Sequence, residues 1–304
     1  MNSLSTPVNV GAFVKNGSLR FNQTNSNLKI NGFCFDVKWI VQDDVEGEVN
    51  QTKSWEFLRK MNVNISLRIG SGVGTQISLI SNVPLYDLLM YSDYVAGVSM
   101  RSTTFTVGEL ARISGYVDLG FIGMGSRDAL DVSVSLTEAW NANTALNFAV
   151  NAIYKKSCKT LCYTYSECKP TGADSPYTNV IGLYYCGDDI ENNETAVCRD
   201  DEGTKSVNIE DAIAYSNSVG NFEFFTRFGC IYEDTFGISQ DVSFRVPPVA
   251  NSQASILVKR IEFMPELLKA NTDDSKAELA SLLEKVKVKD ENKYKYLVEI
   301  AEGA

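Results

Sequence analysis

An internal repeat is the feature of this sequence that most constrains its fold. Residues 87–95 (DLLMYSDYV) align with residues 211–219 (DAIAYSNSV), so that Asp, Tyr, Ser and Val coincide and Leu89 falls opposite Ile213. Each stretch has the composition and apolar spacing of one short helix. The same helix is therefore predicted twice, 124 residues apart.

Two further landmarks repeat in the same order along the chain. The run LDVSVSL, which begins at Leu130, aligns with QDVSFRV, which begins at Gln240, and GFIG at Gly120 aligns with GCIY at Gly229. Because the order is kept, we predict one structural unit of roughly a hundred residues that occurs twice. A unit of this size suits one eight-stranded β-sandwich.

Strand signals dominate the rest of the sequence. Short β-branched or aromatic runs such as NVGAFV, SLRFN, NVNISLRI and TQISLI are separated by Asn, Gly, Ser and Asp, a pattern typical of strands and turns. These runs recur about every ten residues without amphipathic helices between them, which favours a sandwich or barrel over a parallel α/β sheet. We predict an all-β chain built from two tandem β-sandwiches.

Composition divides the chain into three parts. The first unit ends near the YKKSCK stretch and spans residues 1–156, and the second spans residues 157–264, with Cys-rich loops between residues 160 and 205. In residues 265–304 the pattern changes to Leu, Val and Ile at helical spacing, with Pro, Ser and Asp at helix starts. This last part is predicted to be a helical C-terminal tail.

The chemical inventory argues against an enzyme. The chain contains no histidine, which excludes imidazole triads, His acid–base catalysis and His-ligated metal centres. Its 38 Asp and Glu outnumber its 28 Lys and Arg, so direct contact with DNA or RNA would work against the overall field. No secretory signal and no bilayer-spanning apolar run is visible in the sequence. We predict no catalytic residues, no metal and no cofactor, and synthesis in a cytoplasm.

Seven cysteines raise the question of a metal site. The five between Cys158 and Cys198 lack the paired C-x2-C spacing of structural zinc sites. Buried free thiols, or one or two disulfides between loops, are favoured over zinc. Cys34 and Cys230 lie within apolar strand runs and are predicted to be core residues.

Other patterns that could bind ligands have simpler structural interpretations. The acidic stretches at residues 187–194 and 199–203 could hold calcium, but they lack the EF-hand spacing, which favours solvated loops. The glycine-rich residues 69–76 precede a strand and not a helix, so a hairpin turn is favoured over a phosphate-binding loop.

Aromatic residues and the repeated helix positions are predicted to be structural. Trp39 and the run FEFFTRF cluster as residues of core strands do, which favours core packing over a stacking platform for sugars or bases. Asp87 and Asp211 are assigned structural roles, and Tyr91 and Tyr215 are expected to anchor equivalent helices on the two sandwiches.

Two tandem sandwiches with a short helix at the same place in each, and without a catalytic inventory, resemble the double jelly-roll major capsid proteins. These proteins belong to tailless icosahedral viruses, many of them bacteriophages with an internal membrane. The resemblance covers roughly residues 8–263 and rests on architecture and duplication, since the family has no short motif. It implies an all-β double jelly roll in a structural protein, with three chains forming a pseudo-hexagonal capsomer of the virion.

The resemblance also implies partners. They are further copies of the chain, minor capsid or penton proteins, and the internal lipid membrane where the virus has one. The Cys-rich segment is expected to project outward or meet another subunit, and the tail to contact neighbouring capsomers or the membrane. Two alternatives stay open from the residues alone. One is a receptor- or carbohydrate-binding protein of two β-sandwich modules, a spike or adhesin, with exposed Trp and Tyr at one end. The other is a polysaccharide-acting enzyme with paired acids in a cleft.

Overall fold

The structure is a computed structural model, and it describes most of the chain between residues 6 and 262. The described residues are 6–13, 17–21, 29–43, 55–69, 76–96, 99–100, 105–123, 128–136, 147–155, 161–187, 194–200, 203–219, 227–234, 240–246, 254–262, 284, 287 and 295. Of the predicted helical tail, only the last three of these positions are described, each of them helical. The tail as a whole lies outside the described residues and stays a prediction.

Sixteen strands and two α-helices make up the described part of the chain. The first half contains β1 (Thr6–Phe13), β2 (Gly17–Phe21), β3 (Lys29–Ile40), a 3-10 helix (Trp55–Lys60), β4 (Met61–Arg68), β5 (Gln76–Pro84), α1 (Leu85–Ala96), β6 (Ser99–Met100), β7 (Leu110–Ile122), β8 (Ala129–Leu136) and β9 (Asn147–Lys155). The second half contains β10 (Leu161–Cys168), β11 (Ser175–Cys186), β12 (Thr195–Asp200), β13 (Gly203–Asn208), α2 (Ile209–Val219), β14 (Phe228–Glu233), β15 (Gln240–Arg245) and β16 (Ser255–Glu262).

The first half forms a two-layered jelly roll, the N-terminal sandwich. One layer has the strand order β1-β9-β3-β7, and the other has the order β2-β8-β4-β5. All of these pairs are antiparallel. The predicted hairpin after β4 is confirmed, because Arg68 pairs with Gln76 across the connection.

Alternation of side chains along the strands explains why two layers form. In β3, Phe33, Phe35, Val37 and Trp39 are fully buried, and the residues between them are half-buried. Strand β4 shows the same alternation along its whole length. A strand with one apolar face is stable only when that face packs on a second layer. Phe35 of β3 and Phe148 of the neighbouring strand β9 pack side by side on the inner face of their layer.

The second half repeats this pairing scheme and forms the C-terminal sandwich. One layer has the order β10-β16-β11-β14, and the other joins β15, β12 and β13 to the first residues of β11. The single strand β11 therefore takes the places of both β2 and β3. A register shift falls at Gly32 in the first copy and at Gly182 in the second. The predicted duplication is thus present in the topology as well as in the sequence.

Each helix lies along the edge of one strand, and a repeated serine makes the contact. Ser92 of α1 accepts a hydrogen bond from the backbone N–H of Tyr116 in β7 (2.7 Å). Ser216 of α2 accepts the equivalent bond from Cys230 in β14 (2.8 Å). The sequence predicted two helices in equivalent places, and the structure confirms this.

A glycine stands where each helix passes its strand, and this corrects one landmark of the repeat. A Cβ atom on Gly115 would lie 2.6 Å from Cδ2 of Leu89, and one on Gly229 would lie 3.1 Å from Cγ1 of Ile213. Gly229 therefore corresponds to Gly115. The alignment of Gly229 with Gly120 is wrong, because the close helix approach that requires glycine occurs five residues earlier in β7.

Candidate functional site: the junction between the two sandwiches

Helix α1 lies between the two sandwiches and is buried over its first nine residues. Every residue from Leu85 to Asp93 is buried, including the carboxyl groups of Asp87 and Asp93 and the hydroxyl group of Ser92. A helix at the surface would keep one polar face in water. The burial of α1 therefore shows that a second layer covers its outer face.

Aromatic side chains of the C-terminal sandwich form that second layer. The ring of Tyr91 lies with its centroid 5.0 Å from that of Tyr184, 5.6 Å from Tyr165 and 6.5 Å from Phe228. Tyr94 packs on Phe228 with 5.2 Å between centroids. Tilted aromatic pairs at these separations add to the free energy gained from burial, so this cluster holds the two sandwiches together.

A half-buried lysine satisfies the hydroxyl group of Tyr91 in the aromatic cluster. Lys259 donates a hydrogen bond from Nζ to the hydroxyl oxygen of Tyr91 (2.8 Å) and lies 4.2 Å from the ring centroid of Tyr163. The cation is therefore stabilised by ring faces as well as by the hydrogen bond.

Asp87 forms a second polar link across the junction. Its carboxylate accepts a hydrogen bond from the hydroxyl group of Ser255 in β16. Burial raises the pKa of Asp87 to about 7, against the opposing effects of the Ser255 hydrogen bond and the positive charge of Arg59. This carboxyl group makes the stability of the junction sensitive to pH.

Strand β10 closes the junction by hydrogen bonding to two strands of the N-terminal sandwich. Its first residues pair antiparallel with β7, Cys162 lying opposite Gly120. Further along, Tyr165 lies opposite Ile80 of β5 in a parallel pairing. The Tyr165 hydroxyl group also donates to the backbone oxygen of Asp118 (2.6 Å). Strand β10 thus fills the cleft between the edges of β5 and β7 and joins the two sandwiches into one sheet system.

The equivalent cleft of the C-terminal sandwich is open in the described part of the chain. Strand β13 pairs there with β12 and β14 pairs with β11, and no described strand pairs with the other edge of either one. Among the described strands, β1, the counterpart of β10, pairs only with β9. The outer face of α2 is exposed as well, with Tyr215 56% and Val219 58% accessible.

The prediction that Tyr91 and Tyr215 have the same anchoring role is therefore wrong for Tyr215. Tyr91 is 2% accessible, and Asp87 is buried, but Tyr215 and Asp211 are exposed because none of the described elements forms a second layer over α2. The sequence contains a signal of this difference, since Leu, Met and Tyr in DLLMYSDYV are replaced by Ala, Ala and Ser in DAIAYSNSV.

Six of the seven cysteines are described, and all six lie in strands as free cysteines, which agrees with the predicted free thiols and not with disulfides between loops. Cys162, Cys186 and Cys198 are buried free thiols, and burial raises the pKa of Cys198 to about 11. Thiols held protonated are poor metal ligands. Cys230 packs against the core, but Cys34 lies on the half-buried outer face of β3, so its assignment to the core is wrong. Cys158 lies outside the described residues.

The remaining candidate ligand sites show no ligand-binding geometry in the described residues. Across the described ranges, no three Cys, Asp or Glu side chains come together as a metal site requires. Of the acidic stretch 199–203, Arg199 pairs with Asp174 and Asp200 with Lys205, and most of the stretch 187–194 lies outside the described residues. Among the described helices, none is long and apolar enough to cross a membrane.

One open groove of about 690 Å³ lies on the outer face of β4, β5 and β8. Its charged groups, Arg68 and Asp131, pair with each other at 2.5 Å, and its amide Gln76 donates to Ser66. Since these polar groups satisfy one another, the groove is a weak candidate for a ligand site. Trp39 is buried against Phe105, as predicted, and offers no surface for stacking.

Comparison with known proteins places the fold. No protein-family model matches the chain, and no curated protein matches its sequence. The crystal structure of the major capsid protein of Sulfolobus turreted icosahedral virus aligns with 9% identity and a TM-score of 0.50, over 86% of this chain and 95% of the other. A chain from the atomic structure of that virus aligns with 9% identity and a TM-score of 0.54, over 97% and 99%. The chain therefore has the double jelly-roll fold.

Proposed function

We propose that this chain is a major capsid protein, a structural protein of an icosahedral virion. The observation that carries the proposal is the junction: two copies of one sandwich stand side by side in a continuous sheet system, and the sheet edges at both of its ends are unpaired in the described residues. Exposed strand edges favour pairing with another chain. The same fold in solved viral capsid proteins agrees with this function.

The duplication suits a lattice of capsomers. Three chains with two similar sandwiches each present six sandwiches around a threefold axis, so a trimer can occupy a position with six neighbours. We propose a homotrimeric, pseudo-hexagonal capsomer. The function of the chain is then geometric and needs no catalytic group, in agreement with the capsid neighbours, which are structural proteins.

Finer assignments follow from the same proposal. The partners are other copies of the chain, minor capsid or penton proteins and an internal membrane, and the chain is made in the host cytoplasm before it joins the virion. Chain length and the Asn-rich composition favour the lipid-containing Flavobacterium phage as the source. The division into residues 1–156, 157–264 and 265–304 stays a prediction, and so does the outward or intersubunit role of the Cys-rich segment.

Light scattering coupled to size exclusion tests this function. We expect a stable trimer of about 100 kDa, three times the 33.6 kDa of one chain, with a hexagonal outline by negative-stain electron microscopy. A monomer whose mass does not change with concentration would contradict the proposal. It would favour the receptor- or carbohydrate-binding alternative.

A further inference from the structure

We propose that the open cleft between β13 and β14, together with the outer face of α2, binds strand β1 of a second copy of this chain. This contact repeats between chains the junction that β5, β7, α1 and β10 form within one chain. The inference rests on the proposed self-assembly and names the surface through which it occurs.

The register of the two sandwiches identifies β1 as the counterpart of β10. Phe35 lies opposite Gly115 and Val150, and Tyr185 lies opposite Gly229 and Ile256, so these sets of residues correspond. Following the outer strands from this point, Ile153 pairs with Pro7 of β1, and its counterpart Lys259 pairs with Tyr165 of β10. Strands β1 and β10 therefore occupy the same place in their sandwiches.

The occupied cleft shows what the open cleft requires. In the N-terminal sandwich, β10 supplies hydrogen bonds to the edges of β5 and β7. In the C-terminal sandwich, the corresponding edges belong to β13 and β14, and the residues of β13 from Gly203 to Ser206 are all exposed. A strand added to such edges gains main-chain hydrogen bonds without changing the fold. Within one chain β1 lies at the far end of the sheet system, so β1 can reach this cleft only from another copy.

The outer face of α2 supplies the apolar part of the contact. Tyr215 and Val219 lie one helical turn apart. Through the 124-residue offset they correspond to Tyr91, which is buried, and to Val95, which stays 45% accessible beside the internal junction. They are two of the five exposed large apolar residues in the described part of the chain. Tyr91 shows how such a tyrosine is covered, since rings from three strands of the next sandwich surround it.

The proposed contact is head-to-tail, and this determines how it propagates. One copy offers its C-terminal cleft and the other offers its N-terminal strand, so the two surfaces are different and the contact is heterologous. A heterologous contact ends without unpaired surfaces only when it closes into a ring. If each contact repeats the turn between the two sandwiches of one chain, three copies close a ring of six sandwiches.

A double substitution that introduces two positive charges tests the contact of the helix face. We expect Y215R/V219R to be folded by circular dichroism, because both side chains are exposed, but to lose the trimer in size exclusion with light scattering. The matched control V107R/L110R changes two other exposed apolar residues, 46% and 52% accessible, at the start of β7. This control should remain a trimer. A Y215R/V219R trimer with unchanged dissociation would overturn the inference and leave the proposed capsid function standing.

A cysteine pair tests the strand register directly. Tyr165 and Ile80 are paired in the internal junction, and their counterparts are Pro7 and Thr204. Under mild oxidation P7C/T204C should give covalent dimers and trimers on non-reducing gels, whereas the single variants P7C and T204C should not. Trimers in solution without these crosslinks would refute the register, while a wild-type chain that stays monomeric would refute the proposed function itself.

Discussion

At the scale of single residues, the repeated serine has the same task in both sandwiches. Ser92 and Ser216 are both fully buried, and each satisfies a backbone N–H at a strand edge that no neighbouring strand reaches. A buried donor without a partner costs free energy. The two serines therefore explain why this position of the helix repeats in the sequence.

Replacing either serine should destabilise its sandwich. We expect Ser92→Ala and Ser216→Ala to lower the free energy of unfolding by about 1–3 kcal/mol, because the N–H of Tyr116 or Cys230 loses its acceptor. Urea denaturation followed by circular dichroism measures the change. Ser218→Ala is the control, since Ser218 lies on α2 with Ser216 but is exposed. Equal effects of all three substitutions would contradict this role.

The carboxyl group of Asp87 should give the stability a pH dependence of defined sign. Because burial raises its pKa from 3.8 to about 7, the folded chain binds the proton more tightly than the unfolded chain does. Its contribution to stability is present below about pH 4 and is lost as the pH rises through about 7. The slope is at most about 1.4 kcal/mol per pH unit.

Urea titrations between pH 4 and 8 test this dependence. We expect Asp87→Asn to lack the loss of stability that the wild-type chain shows over this range. The difference in the free energy of unfolding between the wild-type chain and the variant should therefore narrow or reverse at high pH. Asp211→Asn, at the exposed equivalent position, should follow the wild type. A wild-type slope in Asp87→Asn would show that this carboxyl group does not titrate in that range.

At the scale of elements, α1 and α2 show how one sequence motif serves two environments. Helix α1 is covered by the C-terminal sandwich, and α2 keeps an exposed outer face in the described structure. The motif encodes the inner contact with the strand edge in both copies. The outer contact depends on which neighbour is present, and this is a property of the assembly.

The same substitution in the two helices should therefore have different effects. We expect Tyr91→Ala to lower the free energy of unfolding by about 3–5 kcal/mol, because a fully packed aromatic ring is lost from the core. Tyr215→Ala should change the stability of the dissociated subunit by less than about 0.5 kcal/mol. Denaturation of dilute, dissociated protein measures both. Similar losses for the two variants would contradict the assignment of Tyr215 to the surface.

The elements also show how far the sequence could predict the structure. The alternation in β3 and β4 and the repeated helix are local patterns, and they gave the two sandwiches. The burial of α1 is signalled by its larger apolar residues, but the fusion of two strands into β11 and the outward position of Cys34 depend on contacts between distant segments. These contacts leave no periodic signal in the chain, so they could be found only in three dimensions.

At the scale of the whole molecule, the junction within one chain is the model for the contact that we propose between chains. Within one chain, β10 fills the cleft of the preceding sandwich, while in the described residues no strand pairs with the outer edge of β1 or fills the β13–β14 cleft. A chain that repeats its own internal contact with its neighbours needs only one kind of interface. We infer that the duplication lets one kind of interface serve both within and between chains. It also allows a particle with threefold symmetry to occupy a position with six neighbours.

An electron cryomicroscopy map of the purified assembly is the most direct test of the proposed contact. We expect a threefold particle with six sandwiches in a ring, in which β1 of each chain lies in the β13–β14 cleft of the next and Tyr215 is covered. A map of isolated chains, or of a particle in which α2 faces the solvent, would contradict it.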